Sequence, residues 1–387
     1  MKEISPTEAA QLADDVYDIQ DPAEVKRFLD HPLFKKPENP SFSPHKHLNA
    51  EIGGRILLNH NDGFGICAQG SNADELFLIF RGTTTANKKA DFLTDGRIGI
   101  TNSSAGLPVH IGFNHCFTSM LPDIRTFFKD HANSSKTVHC IGHSLGGAIA
   151  SLAADWVGRN TMHTAKLYTF GAPRVGTDWF VKSTTTTVGS ERMHRVYHRT
   201  DPVPMVPLYP FMHAPYAQDG HYIYSTEPLL SGAAHMMANY VNSVKGKSWS
   251  SLSDAPENPY TLESAIESWL ESKSPVDTSS PAFWRWVDSA LIYVLKKVAM
   301  AAILSLQAAF VTTFTIADKI AYILVSGIDL AENISIWVEH LMRKLMQALG
   351  MQVAKSKKEL TRSLIRTVLI RISEKANKEA SDAIRRL

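Results

Sequence analysis

Residues 137–157 read TVHCIGHSLGGAIASLAADWV. Thr137–Ile141 is a short apolar run of strand type, and Gly147–Val157 has the small and aliphatic residues of a helix leaving it directly. Between them, Gly142-His143-Ser144-Leu145-Gly146 fits the pattern G-x-S-x-G. A strand-to-helix turn this tight forces the serine into a strained backbone geometry and lifts its Oγ clear of a sheet. The flanking glycines are needed because a Cβ at either position would collide with neighbouring backbone. The emerging helix directs free N–H groups and its positive dipole end toward the place where an oxyanion would form. Ser144 is therefore a candidate nucleophile, and the Leu145 N–H a candidate oxyanion donor.

The flanking sequence supplies a sheet for this turn. Upstream, Glu51–Leu58, Gly63–Cys67 and Glu75–Phe80 read as strands, with a hairpin signal at Asn59–Gly63. Phe113–His131 reads as a helix, and Lys166–Phe170 and Met193–His198 as further strands. Strands alternating with longer helices predict an α/β fold with substantial parallel pairing. Ahead of it, Ser5-Pro6-Thr7-Glu8 opens an amphipathic helix with Ala9, Leu12, Ala13 and Val16 on one face. A polar stretch with five prolines follows, Asp21–Pro44.

A serine hydroxyl is a poor nucleophile until a histidine removes its proton and an acid orients that histidine. In a sheet of this kind the chain order is serine, acid, histidine. Asp201 follows the strand Met193–His198, where the carboxyl end of a parallel strand would hold it beside Ser144. The downstream candidates for the base are His213, His221 and His235. His110, His143 and His198 are expected to serve packing and hydrogen bonding around the site.

The elbow and four further segments, in order, resemble the class 3 lipases, the fungal-type triacylglycerol lipases and their bacterial and plant relatives. Phe80-Arg81-Gly82-Thr83 resembles the family's oxyanion strand end, and Val109-His110-Ile111-Gly112-Phe113 its V-H-x-G-F entry to a helix. Thr169–Gly176 resembles its F-G-x-P-R-V-G segment, and Asp201-Pro202-Val203-Pro204 its D-x-V-P. The resemblance covers about residues 5–245. It implies an α/β-hydrolase fold, Asp201 as the acid, and Thr83 as the second oxyanion donor. It also places the base in a late loop followed by an aromatic. His235, with Tyr240 five residues on, is closest to this, ahead of His221 and His213.

The implied activity is hydrolysis of lipid esters by Ser144, Asp201 and His235, with Thr83 and Leu145 at the oxyanion and no cofactor or metal. The family carries a lid between Thr84 and Ile100, where this chain has Lys88, Lys89, Asp91, Asp95 and Arg97 around the apolar pair Phe92 and Leu93. So polar a lid favours phospholipid, lysophospholipid or short-ester substrates over bulk triacylglycerol. The competing expectation is a lipase-fold scaffold, or a membrane- or protein-interaction protein, with little or no catalysis.

The expected domains are an α/β-hydrolase unit at 1–247, a Ser/Pro-rich connector at 248–283 with one helical patch at Leu262–Leu270, and an α-helical unit at 284–387. The whole chain of 387 residues carries a net charge of +2. That figure hides an asymmetry, because Arg285–Leu387 holds 16 Lys/Arg against 9 Asp/Glu, a balance of +7. In the tail, Leu360, Leu364, Val368 and Ile372 recur at helical spacing among basic residues. This pattern suits an anionic membrane surface, or packing against neighbouring helices with a solvated charged face, and a protein partner is a further expectation. Val298–Ala317 runs 20 residues without a charge, which fits a bundle helix or a membrane-inserted one. No nucleic-acid-binding pattern is present. The three cysteines, Cys67, Cys116 and Cys140, have no disulfide or metal spacing and suggest a reducing compartment. The N-terminus lacks the apolar core of a secretory signal. The expected location is therefore cytoplasmic, or outside by a signal-independent route, and peripheral to membranes.

Overall fold

The computed structural model describes residues 3–36, 45–50, 63–83, 99–218, 220–225, 228–252, 259–301, 315–330 and 332–385. Among these, strand β1 is His45–Asn49, β2 Gly63–Gln69, β3 Glu75–Phe80, β4 Ile100–Asn102, β5 Pro108–His110, β6 Thr137–His143, β7 Thr164–Phe170, β8 Met193–His198 and β9 His221–Ile223. Every residue of β3, β6 and β8 is buried, the mark of strands covered on both faces. Seven strands form one sheet in the order β1-β2-β3-β6-β7-β8-β9. The pairs β1–β2 and β2–β3 are antiparallel, and β3 through β9 run parallel. The short pair β4–β5 stands apart.

The helices of the first part are α1 Pro6–Asp15, α2 Pro22–Leu29, α3 Ile111–Asp130, α4 Leu145–Asn160, α5 Asp178–Val188 and α6 Met237–Val244. Ser5 and Glu8 form the expected capping box of α1, which buries Ala9, Leu12 and Ala13. Part of the proline-containing stretch is also helical. Asp21 accepts a hydrogen bond from the Ala23 N–H at 2.9 Å, and Pro22 opens α2, where its missing N–H costs nothing. Two apolar cores flank the sheet, one joining β2, β3 and β6 to α3, α4 and α5, the other joining the opposite face to α1, α2 and α6. The arrangement is an α/β-hydrolase fold with a mostly parallel sheet.

A third core belongs to the C-terminal helices α7 Glu263–Glu271, α8 Pro281–Ala301, α9 Ile316–Ile328, α10 Glu332–Ala348 and α11 Arg362–Arg385. Ile365, Val368, Leu369 and Ile372 of α11 are buried in it, so the apolar stripe of the tail faces its neighbours. This core also takes in Val203, Met205, Val206, Leu208 and Tyr209 from the hydrolase part. Each large aliphatic or aromatic side chain so buried contributes roughly 1.5–3 kcal/mol. Among the described residues no helix is long and apolar enough to cross a membrane. The expected strand Glu51–Leu58, most of the lid segment and the middle of Val298–Ala317 lie outside the described residues.

Candidate active site

Ser144 stands between β6 and α4 at φ 56° and ψ −129°, a strained geometry for a residue with a side chain. Its N–H donates to the Phe170 carbonyl at 3.0 Å. A Cβ on Gly146 would lie 2.1 Å from the Phe80 carbonyl oxygen, so only glycine lets α4 leave this close to β3. The Ser144 hydroxyl donates to His235 Nε2 at 2.9 Å, and His235 Nδ1–H faces Asp201 Oδ2 at 2.9 Å and Oδ1 at 3.0 Å. All three are buried.

Asp201 is fully satisfied as an acceptor. The Val203 N–H reaches Oδ1 at 2.9 Å and the Tyr240 hydroxyl reaches Oδ2 at 2.6 Å. Burial and the adjacent carboxylate push the Tyr240 phenol well above its usual range, so it stays a donor. Gly171, at φ 54°, lies against this cluster, and a Cβ there would sit 2.6 Å from Asp201 Oδ2. His198 stacks on Tyr240 with ring centres 4.0 Å apart, and its Nδ1–H donates to the Ala234 carbonyl at 2.6 Å.

A second chain of hydrogen bonds links His235 to the strand end at Gly82. His143 Nε2–H donates to the His235 carbonyl at 2.7 Å, and the Tyr17 hydroxyl donates to His143 Nδ1 at 2.7 Å. The Tyr17 oxygen in turn accepts from the Gly82 backbone. Burial, then the nearby His235, holds the His143 pKa well below its usual value, so it serves as a neutral bridge.

Phe80 pairs with Gly142 across β3 and β6, which brings Phe80-Arg81-Gly82-Thr83 alongside the elbow. Buried Arg81 donates to the carbonyls of Gly63 at 2.6 Å and Gly82 at 3.0 Å, fixing the strand end. A Cβ on Gly82 would lie 3.0 Å from Ser144 Cβ, so the backbone next to Thr83 is already against the serine. Thr83 Oγ1 is buried and has no hydrogen-bond partner among the described residues. Leu145 is the first residue of α4, whose start no side chain caps.

The other two candidates, His221 and His213, are engaged elsewhere. His221, on β9, meets His194 at 3.2 Å, and His194 meets Glu3 at 2.9 Å. His213 Nε2–H donates to the Pro204 carbonyl at 2.7 Å. The arrangement of nucleophile, imidazole and carboxylate fits acyl transfer from an ester.

Residues 77–211 match the family model described as Lipase (class 3). This stretch, a part of the chain, is similar to the class 3 lipases. The matched segment runs from β3 through the elbow to the loop after Asp201 and stops short of His235. Similar curated proteins include secreted mono- and diacylglycerol lipase 1 of Fusarium solani, 34% identical over 146 residues, which are 35% of this chain and 43% of that one. Secreted mono- and diacylglycerol lipase A of Penicillium cyclopium is 30% identical over 151 residues, 38% of this chain and 48% of that one. The chain thus spans about half the length of the curated relatives it matches. Among solved structures, a lipase from Rhizopus microsporus var. chinensis has a TM-score of 0.41 and 23% identity, covering 57% of this chain and 74% of that one.

These lipase relatives correct one expectation. A cytoplasmic location, or release by a signal-independent route, is overturned by relatives named as secreted lipases. The cysteine argument behind it fails physically as well. Cys67, Cys116 and Cys140 are buried free thiols, and burial raises the pKa of each, that of Cys116 to about 12. Such thiols stay protonated and unreactive in any compartment.

Tyr17 was not singled out by the sequence, because nothing local marks a tyrosine at the end of α1 as a partner for the elbow. Tyr240 carried a signal only as the aromatic after His235.

Proposed function

We propose that the chain is a serine carboxylic-ester hydrolase that acts on lipid esters through an acyl-enzyme. The observation that carries this reading is the buried chain Ser144–His235–Asp201, with hydrogen bonds of 2.9 Å on both sides of the imidazole. Ser144 Oγ attacks the ester carbonyl as its proton passes to His235 Nε2, and Asp201 stabilises the imidazolium. The N–H groups of Thr83 and Leu145 receive the oxyanion. His235 then gives its proton to the departing alcohol. A water molecule, deprotonated by His235, opens the acyl-enzyme and frees the fatty acid, returning the proton to Ser144.

The names of the curated relatives make mono- and diacylglycerols the first substrates to test. Residues 1–247 would form the hydrolase unit, 248–283 the connector and 284–387 the helical unit. The last of these presents exposed Lys355, Lys357, Lys358, Arg362, Arg371 and Lys378. With the apolar stripe of α11 buried, attachment to an anionic membrane would be electrostatic.

The test is fatty-acid release by purified protein from dispersed mono-, di- and triacylglycerol, phosphatidylcholine and lysophosphatidylcholine. The fastest release is expected from the partial acylglycerols. Faster release from a phospholipid would move the substrate class, and no release from any ester would favour the scaffold reading.

A further inference from the structure

We propose that Asp288, on helix α8, is a positioning residue for Asp201, and that the helical region is thereby part of the catalytic apparatus. This rests on the reading of Asp201 as the acid of the triad.

The first part of the loop that begins at Asp201, as far as Tyr209, joins neither core of the sheet. Val203, Met205, Val206, Leu208 and Tyr209 share their core with Trp284, Val287 and Leu291 of α8. The polar contacts follow the same division. Asp288 Oδ1 accepts from the Tyr209 N–H at 2.9 Å and from Arg174 Nη1 at 2.8 Å. The Arg174 N–H donates to the Val206 carbonyl at 3.0 Å. One carboxylate therefore ties together α8, the acid loop, and the strand-end segment that begins at Gly171, the residue pressed against Asp201. The Arg174 and Asp288 side chains are only 13% and 15% exposed, so the pair is poorly screened by water. Losing one partner would leave the other charge uncompensated.

The base loop is tethered to the same place. The Leu230 N–H donates to the Ser279 carbonyl at 2.9 Å, just ahead of α8, and the Ser231 N–H donates to the Thr200 carbonyl at 3.0 Å, one residue before Asp201. The sheet has its own cores on both faces without α8, whose apolar face instead joins the acid loop to the C-terminal helices. A displacement of an orienting carboxylate by about 1 Å is enough to cost rate without costing the fold.

The test uses the full-length protein and a short-chain nitrophenyl ester. Asp288→Asn keeps the shape and an acceptor for the Tyr209 N–H but removes the charge that pairs with Arg174. Arg174→Gln removes the same pair from the other side, and Asp288→Glu restores the charge. Active sites are counted by fluorophosphonate titration, so that unfolded molecules drop out of kcat, and thermal unfolding reports the fold. Asp288→Asn and Arg174→Gln should each lower kcat per titrated site about tenfold with KM within about twofold. The double variant should be no worse than either single change, and Asp288→Glu should recover much of the rate. Folded Asp288→Asn and Arg174→Gln proteins with wild-type kcat per titrated site would overturn the proposal. So would failure of every variant to fold, because the pair would then hold the structure rather than the acid. A wild-type protein that neither hydrolyses the ester nor takes the probe would instead refute the ester-hydrolase reading on which the proposal rests.

Discussion

Tyr240 donates its phenolic hydrogen to Asp201 Oδ2 at 2.6 Å from a helix that begins two residues after His235. One short segment thus supplies both the imidazole and a clamp on the carboxylate that orients it. The phenol oxygen also accepts from the His198 N–H at 3.1 Å, which ties the clamp to the end of β8.

Tyr240→Phe removes this donor and keeps the ring on His198. A hydrogen bond to a charged group contributes roughly 1.5–3 kcal/mol, and about 1.4 kcal/mol corresponds to a factor of ten. The variant should lose about tenfold in kcat, with KM nearly unchanged, on a soluble ester. An unchanged kcat would mean that Asp201 is held adequately by the Val203 N–H and His235 alone.

His235→Ala should reduce kcat by several orders of magnitude, because base and nucleophile act as a unit. His221→Ala should change kcat by less than about threefold, since His221 pairs with His194 rather than with Ser144. Steady-state kinetics on the two variants separates the roles, and a large loss from His221→Ala alone would move the base.

Much of this was legible because the decisive signals are local. The G-x-S-x-G turn needs its glycines for steric reasons acting within a few residues, and buried strands such as ELFLIF at Glu75–Phe80 announce themselves by composition. The base was less legible, since three candidate histidines follow Asp201 within the family resemblance and only the tertiary course of the chain brings one to Ser144. Asp288 was not legible at all. It lies in a helical region outside the family resemblance, and its partners Arg174 and Tyr209 are distant in sequence. The α11 stripe admits two outcomes, membrane or bundle, because periodicity gives the apolar face and not what covers it.

Buried histidines set a pH dependence of stability. Burial lowers the His110 pKa to about 4 and carries those of His143 and His213 well below their usual value. These groups are neutral when folded but take up protons near pH 6.5 when unfolded. Stability is therefore complete above about pH 6.5 and falls as pH drops toward 4, His110 alone accounting for about 3 kcal/mol. Asp14 and Asp155, whose pKa values are raised by burial, act in the opposite sense near the carboxylate range. Tm measured from pH 8 to pH 4 should fall below 6.5. His110→Asn, which keeps an N-cap for α3, should flatten the slope. A Tm that holds or rises on acidification would contradict this assignment.

Attachment through the basic helical region should be salt-sensitive. Full-length protein is expected to float with phosphatidylserine vesicles at low salt and to be released near 1 M, where screening acts within about 3 Å. Flotation that resists salt would indicate apolar insertion instead.

Peptide mapping after reaction with a fluorophosphonate probe tests the central claim most directly. The account predicts one stoichiometric adduct, on the peptide that contains Ser144, absent from a folded Ser144→Ala protein whose ester hydrolysis has dropped by several orders of magnitude, to the small rate left by binding and the oxyanion donors. No adduct, an adduct on another residue, or a Ser144→Ala protein that keeps more than about a tenth of wild-type activity would contradict it.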